Sequence, residues 1–384
     1  NDNVTAFLYR KQFAYNASNV AFGSTPTSQG TLSNSVAFPY EDLTWERTRT
    51  YDIGFEMSAW NGLLGVEFDY FYKYTFNILQ SIGGIYPPSL GGHYPSYIND
   101  GTFDNRGFEL VLRHRNHIGK FNYGITGNLT FARNRILSKQ QADNTLPWKN
   151  VLGSSLGALW GLKSDGLYQT EEELANAPKP IGVQPRLGDI KYVDINGDGA
   201  ITADDYVQIA RNRMPEMMFS LSLDADYKGF DLSVQLQGAA LCDRMLQATW
   251  NNGVADQTPL TIPWYGNYDN APLYLVEGSW RPDNTNAEYP RLTVTKSSST
   301  NNGNVSDFWK RNGAYLRLKN VVLGYTFPKR WVNRIGIENL RIYVSGNNLL
   351  TATEFQWIDP ESVNVPTGYY PQQRTFTFGV DLSF

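Results

Sequence analysis

Apolar and polar residues alternate with a two-residue period along much of the chain. Leu64, Val66, Phe68, Tyr70, Tyr72, Tyr74 and Phe76 are separated by Gly65, Glu67, Asp69, Phe71, Lys73, Thr75 and Asn77. Successive strand residues point to opposite faces, so this run predicts one long strand, mainly apolar on one side. It exceeds the roughly 5–6 residues of an ordinary strand. The same alternation returns at residues 51–59, 121–131, 219–227, 230–236 and 376–384. Residues 108–116, 315–327 and 340–350 predict further strands with poorer alternation, and a first strand is expected at 4–10. The sum is about ten strands.

The connections between these runs fall into two sets. Short ones lie at 60–63, 116–120, 227–230 and 328–338. Long ones lie at 11–45, 78–105, 136–216, 243–313 and 351–374. Short turns at one end and long loops at the other mark an outer-membrane barrel, with periplasmic turns and extracellular loops. A soluble β-sandwich also alternates, but its loops do not divide this way and its strands are shorter. The polar faces carry Asp69, Asn128, Asp224, Asp231 and Gln235. Such a face suits a wet or plugged lumen better than a packed interior. The expected fold is therefore all-β: a transmembrane antiparallel β-barrel with long extracellular loops at 136–216 and 243–313.

Composition sharpens this picture. Of 384 residues, 14% are aromatic and only 18% charged, against about 25% charged in soluble domains. Thirty-three Lys and Arg face 37 Asp and Glu, a net charge of −4, which offers no basic field for nucleic acid. One cysteine permits no internal disulfide, and three histidines make a His-built catalytic or zinc centre unpromising. No run reaches the roughly 18–20 apolar residues of a membrane helix, but barrel strands need only about 9–11 residues of alternating character. The chain opens at Asn1 without Met or a signal peptide, so a processed or missing start is expected.

The sharpest chemical motif is DINGDGAITADD at 194–205. It fits the EF-hand calcium loop, with oxygens from Asp194, Asn196, Asp198, the carbonyl of Ala200, and Asp205 at the twelfth position. Asp205 stands where Glu is usual, so a shorter arm and weaker binding are expected. Ca2+ is the expected ion, with Mg2+ the alternative, clamping a loop rather than catalysing. The competing reading is an Asx-rich turn without an ion. A G-x-S-x-G match at 153–157 lacks the strand–turn–helix setting of a nucleophile elbow and reads as a turn. His114 and His117 sit at a short turn without a third ligand. Thr170 and Glu173 form a capping box that opens a short loop helix. Of the loop tryptophans, Trp148, Trp160, Trp250, Trp264, Trp280 and Trp309 are candidates for substrate contact, since aromatic faces stack on sugars or hold peptides. Packing within the loops is the competing role.

Several segments resemble one family when taken in order. They are LTWERTRTYDIG at 43–54, NRGFEL at 105–110, GLYQ at 166–169, GDIKY at 188–192 and the 194–205 loop. YKGFDL at 227–232, YLRLKN at 315–320, LGYT at 323–326, RIYVSGNNL at 341–349 and PQQRTFTFG at 371–379 follow. The chain is similar to the SusC/RagA family of TonB-dependent outer-membrane transporters of Bacteroidetes-type Gram-negative cells. That resemblance implies a 22-stranded barrel closed by an N-terminal plug, of which residues 1–384 would be the C-terminal part. It also implies a SusD-like surface lipoprotein partner, contact with the TonB complex through an N-terminal region, and uptake of oligosaccharides or peptides as nutrients. No enzymatic activity is expected. Two other readings remain open at this point: a small outer-membrane barrel hydrolase, and a secreted calcium-dependent carbohydrate-binding β-protein.

Overall fold

The computed structural model describes residues 8–10, 13–22, 27–35, 39–82, 86, 89, 97–142, 144–246, 273–292, 301–354, 359–361 and 372–384. Its main feature is a nine-stranded sheet. The strands are β1 (Arg47–Ala59), β2 (Leu64–Ser81), β3 (Tyr97–Ile118), β4 (Phe121–Ser138), β5 (Met217–Tyr227), β6 (Phe230–Ala240), β7 (Tyr315–Thr326), β8 (Asn339–Thr353) and β9 (Thr375–Ser383). Sequence neighbours are sheet neighbours throughout, so the order runs β1 to β9 without a crossover. Every pairing from β4 to β9 with a described register is antiparallel. Among the described residues no helix is long and apolar enough to cross a membrane.

The short connections are built from left-handed residues. Lys228 and Gly229 have φ of 50° and 92°, the two positive angles of a type I′ hairpin turn. Gly229 is required there, because a Cβ would lie 2.7 Å from the carbonyl oxygen of Thr326. Trp60, Asn61 and Gly62 turn β1 into β2 in the same way. Between β7 and β8 the chain forms helix α1 (Lys329–Val332), a 3-10 turn, and Gly336 at φ 79°.

The chain forms two compact units. One contains residues 1–52, 71–106 and 134–154. In it, Asp104 is fully buried and receives Arg135 at 2.9 Å and Arg106 at 3.5 Å. Asn99 ties three segments together: it donates to the carbonyls of Thr44 and Asn77 and accepts from the Thr44 amide. This unit also holds an antiparallel hairpin, Phe13–Phe22 with Thr27–Ser35. The long connection expected at 11–45 thus contains strands that the alternation does not predict. Ser, Asn and Thr blur the alternation there, and main-chain pairing makes the ladder. Of the strand expected at 4–10, only residues 8–10 are described, and they form a turn. β3 starts at Tyr97, well before the predicted residue 108.

The other unit contains residues 53–70, 107–133 and 155–384. Its register separates two chemistries. Asn122, Thr126 and Asn128 pair with Asp226, Ser222 and Ser220, which pair with Asp231, Gln235 and Gln237. On the opposite face, Ile125, Leu223, Val234, Val321, Gly346 and Phe376 stand in register across six strands. Many side chains of this apolar face are open to the surroundings, Phe378 at 83%, with Ile53, Phe230, Leu323 and Val344 also exposed. In a water-soluble protein an apolar face this long would be covered. In a bilayer it is the lipid-facing band of a barrel. Four Phe rings, Phe55, Phe68, Phe108 and Phe131, lie across β1 to β4 at centroid spacings of 5.8, 6.2 and 5.8 Å.

Candidate functional site

Two features of this second unit can carry function: the polar face of the sheet and the structured loops at its long-loop end. The polar face is a hydrogen-bonded mosaic. Arg341 on β8 reaches Asp231 on β6 at 2.6 Å and Asp381 on β9 at 3.1 Å. Asn122 donates to Asp226 at 2.8 Å, Asn128 to Ser220 at 2.9 Å, and Asn320 to Asn347 at 2.7 Å. Toward the long-loop end, Arg317 is 2% exposed and bonds Asp359 at 2.8 Å and Glu361 at 2.6 Å. Tyr315 donates to the same Glu361, and buried Arg244 caps the carbonyl of Pro360. No local spacing announces this clasp. Arg317 occupies a polar-face position of YLRLKN, and its partners lie some forty residues on.

The loops between β4 and β5 and between β6 and β7 fold together. Leu159–Gly161 pairs with Val207–Ala210, Ser164–Leu167 with Ile190–Tyr192, and Asp243–Met245 with Lys310–Asn312. Leu162, Leu167, Ile190, Tyr192, Ile201, Leu246, Trp280, Tyr289 and Trp309 form their shared core. A polar clasp locks it. Ile190 N donates to Asn302 Oδ1 and Asn301 Nδ2 donates to Ile190 O, both at 3.0 Å. Asn302 Nδ2 donates to Asp189 Oδ1 at 3.0 Å, and Arg291 lies 2.9 Å from the same oxygen. Burial pushes the Asp189 carboxyl above the usual range, opposed chiefly by Arg291. Burial likewise raises the Tyr192 hydroxyl. Lys191 is raised by its bond to Asp165, with Glu173 adding to it. Thr170 and Glu173 form the expected capping box on Glu171–Asn176, and the amide of Gln169 holds Glu173 below its ordinary value.

The tryptophan candidates separate here. Trp309 is 0% exposed and donates to the carbonyl of Asn302 at 2.8 Å. Trp280 is 8% exposed, packs on Gly188 and donates to Gln169 Oε1 at 3.0 Å. Both are core residues, which corrects their assignment to substrate contact, since little or no ring surface remains for a ligand. Trp148 sits in the 3-10 turn Pro147–Lys149 and Trp160 in Leu159–Gly161, each partly exposed. Trp250 and Trp264 lie outside the described residues.

The 194–205 loop is held by its own side chains. Asp194 accepts from the amides of Gly197 at 2.7 Å and Gly199 at 2.8 Å. These bonds, Gly199's first, hold its carboxyl below the usual range. Asn196 accepts from Asp198 N, and Asp198 from Ala200 N. Asp205 is fully buried and accepts from Ile195, Asn196 and Thr202. Among the described residues no three His, Cys, Asp or Glu side chains converge as a metal-ion site. His114 pairs with Tyr123 across the hairpin at 3.0 Å, and residues 153–157 lie in turns.

A two-faced sheet of long antiparallel strands, with tight turns at one end and folded loops at the other, defines an outer-membrane β-barrel protein. The family model described as TonB dependent receptor-like, beta-barrel matches residues 2–349. The chain belongs to that family. It is 29% identical over 372 residues to TonB-dependent receptor P26 of Formosa agariphila, covering 89% of this chain and 35% of that protein. It is 24% identical over 359 residues to TonB-dependent receptor SusC of Bacteroides thetaiotaomicron, covering 90% and 32%. The fold is similar to the RagAB peptide transporter structure, with a TM-score of 0.63 and 21% identity over all of this chain and 40% of that one. The chain thus spans about a third of the length of the curated relatives it matches. These relatives are receptors and transporters, not enzymes, so the hydrolase reading finds no support.

Proposed function

We propose that the chain is the C-terminal barrel portion of a TonB-dependent importer in the outer membrane of a Bacteroidetes-type Gram-negative cell. Its cargo is an oligomer, oligosaccharide or peptide. A SusD-like surface lipoprotein covers the long-loop end, and TonB acts through a region N-terminal to the barrel. The carrying observation is the register-wide split between an exposed apolar face and a hydrogen-bonded polar face. Such a wall spans lipid on one side and borders a wet lumen on the other. The polar residues Asn128, Asp224, Asp231 and Gln235 line that lumen, and the folded loops meet substrate or lid. Trp148 and Trp160, with Trp250 and Trp264, are our aromatic contacts to cargo. The test is uptake of labelled oligosaccharides and peptides by cells carrying the full-length protein, with and without TonB. We expect energised uptake of one class that stops when TonB is deleted. Uptake that persists without TonB would overturn the reading.

We also propose that the 194–205 loop holds Ca2+, or Mg2+ in its place, through Asp194, Asn196, Asp198, the Ala200 carbonyl and Asp205. Every donor is a hard oxygen, as these cations require, and carboxylate oxygens that accept one N–H keep further lone pairs. The ion would stiffen the loop. Calorimetric titration of chelator-treated full-length protein should show Ca2+ binding that disappears in Asp194→Asn/Asp198→Asn. Equal binding by that variant would refute the site.

A further inference from the structure

An open hollow of about 500 Å³ lies where β6 ends and β7 begins, at the long-loop end of the sheet. Ala240, Leu241 and Ala314 line it and are partly exposed, over buried Ile209, Ala210 and Cys242, giving it an apolar wall. Arg211 and Lys310 line it too, both exposed. Neither side chain has an ion-pair partner or a side-chain hydrogen bond among the described residues. The acid that lines the hollow, Asp243, has one oxygen engaged by the Arg211 main-chain amide at 2.7 Å. Its neighbour Arg244 is committed to the carbonyls of Pro360 and Arg213. The hollow therefore presents two cations beside the partly exposed hydrocarbon of Ala240, Leu241 and Ala314, with one acid only partly balancing them.

We propose that this hollow is a subsite for the C-terminal carboxylate of a short peptide. The inference rests on the import reading above and narrows its cargo. A carboxylate takes charge-assisted bonds from a guanidinium and an ammonium together. The last residue of a peptide places an aliphatic side chain on the carbon that bears the carboxylate, so charge and hydrocarbon arrive as a pair. Gln208 lines the hollow as well, exposed, with an amide suited to a peptide main chain. No aromatic ring lines the hollow among the described residues, whereas a sugar face would stack on one.

The test uses the purified full-length protein with its lipoprotein, and a synthetic pool of hexapeptides ending in leucine, as free acids and as C-terminal amides. Binding is read by equilibrium dialysis and mass spectrometry, with acidic oligogalacturonides as the competing probe. The free acids should bind about tenfold or more tightly than the amides, the yield of one charged hydrogen bond. Lys310→Gln and Arg211→Gln should bring the acids down to the level of the amides, and Arg211→Lys should keep most of the preference. The heat-modifiable gel shift of the barrel checks that each variant is folded. Equal binding of acid and amide, or no binding of the pool, overturns the subsite. So does oligogalacturonide binding that depends on Lys310 in the peptide's place. Acid-selective binding without TonB-dependent uptake would keep the subsite and refute the import reading, so the two fail separately.

Discussion

Gly188 has a φ of 81°, and the Trp280 ring lies 2.3 Å from where its Cβ would be. Gly188→Ala must therefore displace the indole as well as strain the backbone. It should weaken the folded loops by about 1–3 kcal/mol, seen as faster proteolysis within residues 159–313 of the full-length protein. Trp309→Ala should do more, about 3–5 kcal/mol, since it empties a fully buried site. Unchanged proteolysis of both would mean the loops do not depend on this core. The Glu173 carboxylate carries a pH prediction. Its folded value lies below 4.5 because the Gln169 amide bonds its charged form. Its contribution is present above that ordinary value and is lost as pH falls through the lowered one. Glu173→Gln should flatten this acid limb in pH-dependent proteolysis near 171–181. An unaltered limb would assign the acid sensitivity to another group. None of these residues was individually legible in the sequence except Thr170 and Glu173, whose bond is local. Trp280 and Trp309 looked the same as Trp148 and Trp160, because burial was decided by partners roughly a hundred residues away.

At the scale of the strand, period-two patterning was a sufficient guide. β2, β4, β5, β6 and β9 lie where alternation is strict, because one face meets lipid and the other water. β2, β3, β4, β6 and β8 all run beyond the alternating stretch that predicts them, β3 and β4 furthest, since strand ends that leave the two-sided setting follow hydrogen bonds instead. Register now predicts opposite outcomes for adjacent residues. Val344 belongs to the exposed apolar face and Ser345 to the polar one. Val344→Lys should cost about 2–4 kcal/mol near the bilayer centre and lower the folded barrel in outer membranes. Ser345→Lys should be tolerated. Equal effects in a heat-modifiability assay would contradict the assignment of faces. The short strands of the loops, two to four residues each, are below the length at which periodicity says anything.

For the whole molecule, the sheet runs from β1 to β9 and its two edge strands are the outermost described members. An unpaired strand edge within a bilayer is costly, since no water satisfies its amides and carbonyls. Residues 1–384 produced alone should fail to give a heat-stable membrane form, and co-production of the remaining strands of a full-length relative should restore it. A stable lone barrel would contradict this. The family was legible from ordered short motifs. Its cargo was not, because the residues that meet a ligand are placed by loops whose packing no local pattern encodes.

The interlocked core of residues 159–210 with 273–292 and 301–313 carries one more consequence. Two segments far apart in the chain behave as a single heritable cassette. A natural or engineered exchange of one alone would strand Asn301 and Asn302 opposite a foreign backbone. Productive recombinants should therefore carry both segments from the same parent, and crossovers that separate them should be rare among functional hybrids.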